Sequence, residues 1–328
     1  MGKSNLRTWV VYSDKYDPWF NLALEEFLLT GLNEDEIILY LWQNEHTVVI
    51  GRNQNAWKEC RCAELEADGG KLARRLSGGG AVYHDLGNLN FTFLTTRKHY
   101  DVHRQLEVIL RGAQLLGLEA EFSGRNDLVI DGRKFSGNAF GFRGNNALHH
   151  GTILVNADME KMTKYLTVSN DKIKAKGVAS IKSRVVNLRD IMPDITVEIV
   201  KEAVIKSFTD EYGPACETVD FKADDKDMWP NDAAFRNIMA RNSSWEWRYG
   251  ETPDFDIHFK NRFSWGGIEL YFKLDEGIIR KAEVYSDALC EEIITRLPEL
   301  FTGTRLDGDE LSQKLSNCKG TLGLLKDR

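Results

Sequence analysis

The sequence predicts a mixed α/β (α+β) fold with two domains, and three observations lead to this prediction. Short apolar strands dominate the middle of the chain, with amphipathic helices before, between and after them. The 328 residues are enough for one large core plus an accessory module. Two Ser, two Trp and a Gly interrupt the pattern at 242–250. We therefore expect a larger domain over residues 1–243 and a small α+β accessory domain over 251–328.

The first predicted elements are one helix and two strands. Asp17 is a suitable cap for a helix that begins with Pro18, and apolar residues then recur at helical spacing. This pattern predicts a helix over about 18–30. The apolar runs 37–42 and 47–50, separated by a polar turn, predict two short buried strands.

Strands and helices then alternate along the rest of the chain. Apolar residues on one stripe predict an amphipathic helix over 101–117. A tight turn at 131–132 indicates a hairpin. The other central strands are expected at 72–75, 81–84, 90–94, 127–131 and 151–155. In the accessory domain we expect strands at 255–259, 268–272 and 278–285, followed by helices at about 288–300 and 308–318.

The composition excludes several classes of protein. The hydrophobic content of 42% and charged content of 28% are ordinary globular values. A net charge of −7 argues against a nucleic-acid binder that presents a basic field over its whole surface. The longest apolar run, 37–42, is far shorter than the roughly 18 residues of a membrane-spanning helix. The first residues contain neither a signal-peptide core nor a myristoylation signal, so we expect a cytoplasmic protein with no nucleic-acid or membrane partner.

Cysteine usage favours a reducing compartment. The five cysteines are Cys60, Cys62, Cys216, Cys290 and Cys318, and no two of them form a CxxC pair. Such a set is typical of the cytoplasm. A metal site at Cys60 and Cys62 would need further ligands, and no second pair and no His lies near them in the sequence. A structural role is favoured for both.

A glycine triplet is the first candidate functional motif. Gly78, Gly79 and Gly80 follow Arg75 and Ser77. Backbone without Cβ lets a ligand approach closely and lets several N–H groups point at one anion, while the guanidinium supplies charge. The alternative is a flexible hairpin tip. The triplet is neither a P-loop nor a dinucleotide fingerprint, because the residues that those motifs require are absent.

A lysine and two histidines are the next candidates. Lys134 follows a tight turn, where a lysine is usually solvated, but the small residues at 136–139 would let a substrate lie beside it. His149 and His150 are adjacent on a predicted strand, so their side chains point to opposite faces and are poor joint ligands for one metal. One of them either lines a pocket or is a structural histidine.

An ordered series of motifs resembles the lipoate–protein ligase A family, in its two-domain form. The match extends over about residues 9–285. The closest part is Arg74 to Asn88, RRLSGGGAVYHDLGN. The other motifs are NLALEE (21–26), GRNQN (51–55), GRND (124–127), RKFSGNA (133–139), HHGT (149–152) and AKG (175–177).

The resemblance implies a fold and a reaction. The fold would be that of biotinyl/lipoyl protein ligases, with a sheet like that of class II aminoacyl-tRNA synthetases. The reaction would be ATP-dependent ligation of lipoate to a specific lysine of lipoyl domains, through lipoyl-AMP. The acceptors would be apo lipoyl domains of 2-oxo-acid dehydrogenase E2 subunits or the glycine-cleavage H protein, which are acidic proteins.

The resemblance also assigns the site residues. Lys134 would be catalytic, contacting both the adenylate and lipoate, and it would act through its fixed charge. The predicted ATP or adenylate contacts are Arg75, Gly80, Ala81, Val82 and Tyr83. The predicted lipoate contacts are Asn88, Ala139, His150 and Thr152, with Leu22 as apolar wall. Mg²⁺ is expected with ATP, but no pair of acids stands out as its ligands.

A basic segment departs from the overall acidic charge. Between residues 161 and 189 there are eight basic residues and one acidic residue. In the family, the matching loop folds over the nucleotide phosphates. The loop at about 168–183 could do the same, or it could steer an acidic lipoyl domain, or it could be a solvated loop.

The sequence supports three alternative functions less well than the ligase. An octanoyl or lipoyl transferase needs a thiol in the pocket, and no Cys occurs between residues 63 and 215. A biotin ligase would carry a Gly-Arg-Gly-Arg signature, which is absent. A protein that binds lipoyl-AMP or a lipoyl domain without turnover is disfavoured by the presence of Arg75, Lys134 and the glycine triplet in one chain.

Overall fold

The computed structural model describes residues 6–123, 127–167, 184–221, 230, 232–249, 257–275 and 277–318. Within them the strands are β1 (Arg7–Ser13), β2 (Glu36–Trp42), β3 (Thr47–Ile50), β4 (Lys71–Arg74), β5 (Val82–His84), β6 (Asn88–Thr96), β7 (Ala120–Ser123), β8 (Asp127–Ile130), β9 (Arg133–Arg143), β10 (Asn146–Leu154), β11 (Glu217–Phe221), β12 (Ile257–Phe263), β13 (Gly266–Asp275) and β14 (Ile278–Ser286). The α-helices are α1 (Pro18–Thr30), α2 (Ala56–Glu59), α3 (Cys62–Ala67), α4 (Val102–Leu115), α5 (Met159–Tyr165), α6 (Val197–Tyr212), α7 (Ala233–Ser243), α8 (Trp245–Arg248), α9 (Glu291–Phe301) and α10 (Gly308–Cys318).

A large mixed sheet forms the centre of the first domain. Its strand order is β11-β1-β2-β6-β10-β9-β8-β7. β1 is parallel to both β2 and β11, and the other neighbours are antiparallel. A smaller sheet has the order β4-β3-β5. This arrangement, with the separate accessory sheet, confirms the predicted fold class.

The inner strands of the large sheet are buried on both faces. Alternate residues of β2 face opposite sides, as the pleat of a strand requires. Leu39 packs with α4 and α6 on one side, in a cluster that includes Phe93 and Phe208. Tyr40 packs with α1 and α7 on the other side, in a cluster that includes Phe20. The uniformly apolar run that predicted β2 therefore reflects a strand between two cores.

Helix α1 brings the first motif of the sequence to the sheet. Its N-terminus is capped as predicted, because the side chain of Asp17 accepts hydrogen bonds from the backbone N–H groups of Trp19 and Phe20. The residues from Phe20 to Glu25 are all buried. The carboxylate of Glu25 therefore lies inside the protein.

Several strands are longer than predicted because their interior residues are polar. β6 starts at Asn88 and ends at Thr96, and all nine of its residues are buried. β10 starts at Asn146 rather than near residue 151. Buried Asn, Thr and His side chains break the apolar pattern on which the prediction relied. They also indicate that this part of the sheet has a polar interior.

Other elements had no counterpart in the prediction. They include β1, β7 and β11, and all the helices between residues 159 and 248. Helix α6 shows why they form: its buried Val200, Val204 and Phe208 lie four residues apart and pack on the sheet. No helix in the described part of the chain has both the length and the apolar character needed to cross a membrane.

The accessory domain is an antiparallel sheet with two helices. β12, β13 and β14 form the sheet in sequence order. Phe272 of the sheet packs with Ile294, Leu297 and Phe301 of α9. The predicted combination of three strands and two helices is present here.

The segment before this domain packs on the first domain. The indole of Trp247 donates to the Arg74 carbonyl at 3.0 Å, and the Arg74 guanidinium donates to the Trp247 carbonyl at 2.8 Å. Arg74 also donates to the carbonyls of Gly51, Arg52 and Gln54. This contact runs past residue 243, where we predicted the larger domain to end.

The accessory domain contacts the first domain through backbone hydrogen bonds and through side-chain ion pairs. The Gly79 amide donates to the Ala288 carbonyl at 3.0 Å, and the Ser286 amide donates to the Asn53 carbonyl at 2.6 Å. The carboxylate of Glu291 accepts from Arg143 at 3.2 Å. The glycine triplet is thus a contact point between the two domains.

Substitution of Gly78 should separate the domains at this contact. A Cβ at Gly78 would lie 2.3 Å from the Ala288 carbonyl oxygen, and neither group can rotate away because both belong to the backbone. For Gly78→Ala we expect amide exchange at Gly79 to accelerate about tenfold, because its bond to Ala288 is lost. Gly80→Ala is the matched control, since its Cβ would meet nothing within 4 Å. Equal exchange rates at Gly79 in the two variants would contradict this docking mode.

Candidate functional site

A cavity of about 540 Å³ lies between the two domains. The glycine loop, defined here as residues 75–81, forms one wall, and β9 and β10 form another. Leu22, Trp42 and Val49 supply apolar lining, and the tip of the β12–β13 hairpin, residues 262–266, covers part of the opening. The cavity has the size of a small-molecule site with both apolar and polar walls.

Arg75 fixes the shape of the glycine loop. Its guanidinium donates to the carbonyls of Gly78 at 2.7 Å, Gly80 at 2.8 Å and Val49 at 3.3 Å, and its Nε donates to Ser77 Oγ at 3.1 Å. Burial lowers the pKa of Arg75 to about 10, and the opposite charge of Glu25 counteracts that shift. The group therefore remains a cation at neutral pH, and its donors hold the loop.

Gly79 allows the loop to take this shape. Its φ is +87°, in the left-handed region that favours glycine. A Cβ there would also contact Arg75 at 3.0 Å and Leu289 of the accessory domain at 3.4 Å. The loop thus brings backbone, a buried cation and the accessory domain together at one point.

Lys134 reaches the cavity from β9. Its ammonium group lies 2.7 Å from Asp127 Oδ1, and both side chains are about one third exposed, at 37% and 36%. Its backbone is held on both sides, because Lys134 N donates to Arg184 O at 2.8 Å and Val186 N donates to Lys134 O at 2.9 Å. A solvated ion pair of this kind contributes about 0–1 kcal/mol. The ammonium can therefore leave Asp127 for an anionic ligand at little cost.

The two adjacent histidines lie on opposite faces of β10, as predicted. His149 is buried between Gln105 and Asn138, whose side-chain oxygens lie 3.1 and 2.8 Å from its ring nitrogens. Burial holds the pKa of His149 well below its usual range, so this ring is neutral and structural. His150 faces the cavity, with Nε2 2.6 Å from Ser77 Oγ and Nδ1 2.9 Å from Glu25.

The cavity contains most of the predicted site residues. Those that line it are Leu22, Arg75, Gly80, Ala81, Val82, Lys134, Ala139, His150 and Thr152. The side chain of Tyr83 is instead buried among apolar residues beside Tyr165, with ring centroids 5.9 Å apart. Asn88 is buried and donates to Asn90 Oδ1 at 2.9 Å, so it lies behind the lining residue Asn90.

The sequence analysis did not identify several other residues that line the cavity. Asn90 lies two positions after Asn88 and on the same face of β6, so strand alternation could have indicated it. Trp42 and His84 are the last residues of two predicted strands, but they were not predicted to line a site. Burial lowers the pKa of His84 to about 3, so its ring is neutral. The hairpin tip of the accessory domain reaches the cavity by tertiary contact alone, and no local signal predicts that.

Some predicted features lie outside the described residues. These are the loop at 168–183, with most of the basic segment, and residues 124–126 of the GRND motif. In the described part of the chain, no group of three or more His, Cys, Asp or Glu side chains is placed to hold a metal ion. The described residues thus offer no ready set of Mg²⁺ ligands, and no chemical step is assigned to that ion.

Comparison with known families and structures gives consistent matches. Residues 17–209 match the lipoyl protein ligase A/B catalytic domain, and residues 252–324 match the bacterial lipoate protein ligase C-terminus. LipL1 of P. falciparum, solved in complex with lipoate, is 34% identical over 94% of each chain, with a TM-score of 0.83.

Two other solved structures are similar over most of this chain. A bi-partite lipoate protein ligase from Thermoplasma acidophilum, analysed together with its E2 lipoyl domain, is 27% identical, with a TM-score of 0.64. The match covers 77% of this chain and 99% of that one. A lipoate-protein ligase A bound with ATP is 25% identical over 75% of this chain and 99% of its own, with a TM-score of 0.62.

Proposed function

Because this chain belongs to the lipoate–protein ligase family and has both the catalytic and the C-terminal domain of that family, we propose that it is an ATP-dependent lipoate–protein ligase. The reaction would proceed in two steps. A carboxylate oxygen of lipoate attacks the α-phosphorus of ATP, which gives lipoyl-AMP and pyrophosphate. The ε-amine of an acceptor lysine then attacks the lipoyl carbonyl, loses a proton and releases AMP.

The observation that carries this proposal is that Lys134 lines the same cavity as the glycine loop. Both steps build negative charge on oxygen near the carboxyl carbon and the α-phosphate. A cation held there stabilises that charge, and it also keeps the two anionic reactants together. Lys134 suits this role because its ammonium reaches the cavity and its present partner, Asp127, is held only by a solvated ion pair.

The glycine loop is the proposed site of the nucleotide. Gly80, Ala81 and Val82 line the cavity and would contact ATP or the adenylate through the backbone. Arg75 would contribute positive potential, although its donors are occupied by loop carbonyls. We assign only the backbone of Tyr83 to this contact, since its ring is buried elsewhere.

The lipoyl chain would occupy the apolar side of the cavity. Leu22, Trp42 and Val49 offer apolar surface there, with Ala139 nearby in the lining. Thr152 supplies a hydroxyl to the same wall, and His150 also lines it, with its two ring nitrogens occupied by Ser77 and Glu25. Asn88 would act only through Asn90, to which it is hydrogen-bonded. LipL1 and the ATP-bound ligase A, solved with lipoate and with ATP respectively, support these two ligands for the cavity.

The proposed acceptors are apo lipoyl domains of E2 subunits or of the glycine-cleavage H protein. The Thermoplasma ligase was analysed with an E2 lipoyl domain, which supports this class of partner. An acyl transferase that uses a cysteine thioester is disfavoured, because no cysteine lines the cavity in the described part of the chain. Cys60 and Cys62 are buried in another cluster, and burial raises the pKa of Cys290.

A mass measurement tests the proposal. The protein is incubated with ATP, Mg²⁺, lipoate and an apo lipoyl domain of an E2 subunit, and the mass of the domain is followed. We expect the domain to gain one lipoyl group, and to gain none when ATP is left out. A transferase would instead modify the domain from a lipoyl or octanoyl thioester without ATP. A folded protein that binds lipoate but leaves the domain unchanged would show a binding protein rather than a ligase.

A further inference from the structure

A buried chain of hydrogen bonds joins helix α1 to the glycine loop. Glu25 Oε2 accepts from Thr92 Oγ1 at 2.7 Å and lies 2.9 Å from His150 Nδ1. His150 Nε2 lies 2.6 Å from Ser77 Oγ, which accepts from Arg75 Nε at 3.1 Å. Glu25 and Ser77 are completely buried, and His150 and Arg75 are 6% exposed. We call Glu25, His150, Ser77 and Arg75 the relay.

With Glu25 ionised and His150 neutral, the relay allows one arrangement of protons. An ionised carboxylate only accepts hydrogen bonds, so the proton of a neutral His150 ring must sit on Nδ1, where it faces Glu25. Nε2 is then an acceptor and takes the hydroxyl proton of Ser77. The oxygen of Ser77 is left with lone pairs for Arg75 Nε. Each member thus orients the next one.

The relay also provides the counter-charge for a buried cation. The direct acceptors of Arg75 are a hydroxyl and three backbone carbonyls, all of them neutral. A buried guanidinium without an opposite charge nearby is costly. Glu25 is the carboxylate at the other end of the relay, and its charge favours the protonated form of Arg75. The position of Arg75 is therefore coupled electrostatically to a residue of helix α1.

Ser77 is not placed to act as a nucleophile. The order of acid, histidine and serine is that of a hydrolase triad. However, Ser77 is completely buried and is absent from the lining of the cavity. Its oxygen is also occupied by Arg75 Nε. An acyl group in the cavity would not reach it, so the relay acts on the loop and not on the substrate.

We propose that Glu25 is a positioning residue, which holds the glycine loop in its ligand-binding shape through His150, Ser77 and Arg75. Arg75 in turn holds the carbonyls of Gly78 and Gly80. The effect on the loop follows from the contacts alone, whereas the effect on nucleotide affinity rests on the proposed function. Glu25 does not line the cavity, so its loss acts on the ligand indirectly, through the relay and through Thr92, which accepts from the lining residue Trp42 at 3.1 Å.

Amide NMR of the ligand-free protein tests the first part of the proposal. We expect Glu25→Gln and Ser77→Ala to shift the amide signals of Gly78, Gly79 and Gly80, although Glu25 is bonded to none of them. A long-range nitrogen–proton spectrum should show the Nδ1–H tautomer of His150 in the unsubstituted protein. Glu25→Gln should weaken that preference, because an amide can donate to Nδ1. Unchanged glycine amides, or an Nε2–H tautomer in the unsubstituted protein, would overturn the relay.

Nucleotide binding tests the second part. By calorimetry we expect Glu25→Gln and Ser77→Ala each to weaken ATP binding about tenfold, and the double variant to bind no worse than either, because both break the same relay. Glu26→Gln is the matched control: Glu26 is the next residue of α1 but pairs with Arg241, so ATP affinity should stay the same. Additive losses, or unchanged affinity in folded variants, would overturn the positioning role. If the unsubstituted protein binds no ATP, the proposed function fails, while the amide spectra still decide the relay.

Discussion

Lys134→Ala should lower the rate of lipoyl-AMP formation by about 100-fold or more, the size of effect seen when a charge-stabilising group is removed from an active site. The expectation follows from the place of Lys134 in the lining of the cavity, together with the glycine loop, and from its exposed ion pair with Asp127. The protein should remain folded, because the exposed ion pair that is lost contributes at most about 1 kcal/mol. Pyrophosphate release with ATP and lipoate, measured without acceptor, isolates this step.

The preceding residue supplies the control for Lys134. Arg133 is also basic, but successive side chains of a strand point to opposite faces, and Arg133 does not line the cavity. Arg133→Ala should therefore leave the rate nearly unchanged. Lys134→Arg should recover part of the activity if charge is what matters. Near-normal adenylation by a folded Lys134→Ala protein would refute the role of this lysine.

Local patterns predicted the elements that depend on local chemistry. The start of α1 was predictable because Asp17 caps it and Pro18 fits its first position. The opposite orientations of His149 and His150 followed from the alternation of a strand. Such features depend on neighbouring residues, so the sequence alone is sufficient for them.

Features that depend on packing were not predictable. β6 continues beyond the predicted range because its polar residues are buried against other polar groups, as when Thr95 Oγ1 donates to the Glu36 carbonyl at 2.9 Å. Ser77 and His150 meet although 73 positions separate them. The hairpin tip at 262–266 joins the site only when the accessory domain docks. In each case the partner lies far away in the sequence, and no periodicity identifies it.

Residues of both domains therefore line the same cavity. The first domain supplies Lys134 and the loop, and the second covers part of the opening and hydrogen-bonds the loop at Gly79. Arg75 is the residue at which these interactions meet, because its side chain contacts the loop and a Cβ at Gly79 would touch both it and Leu289. A conservative change at Arg75 should therefore have a large effect.

Arg75→Lys should abolish most activity even though it keeps the positive charge. An arginine presents a planar fork that reaches several acceptors, whereas a lysine is a point donor on a flexible stem. Lysine cannot replace the bonds to Val49, Gly78, Gly80 and Ser77 together. A lysine ammonium has three N–H donors for these four acceptors, so at least one buried acceptor would lose its donor, and we expect the free energy of unfolding to fall by about 1–3 kcal/mol. Urea unfolding measures this change.

The activity of the same variant separates charge from geometry. If Arg75 acted only as a charge, lysine would preserve the rate of adenylation. If it holds the loop, the rate should fall about 100-fold in conditions where the variant is folded, because the donors around the ligand are no longer pre-organised. Arg111→Lys, an exposed change on α4 away from the cavity, should alter neither stability nor rate appreciably. Normal adenylation by Arg75→Lys would show that charge at this position is sufficient, and that the hydrogen bonds to the loop are dispensable.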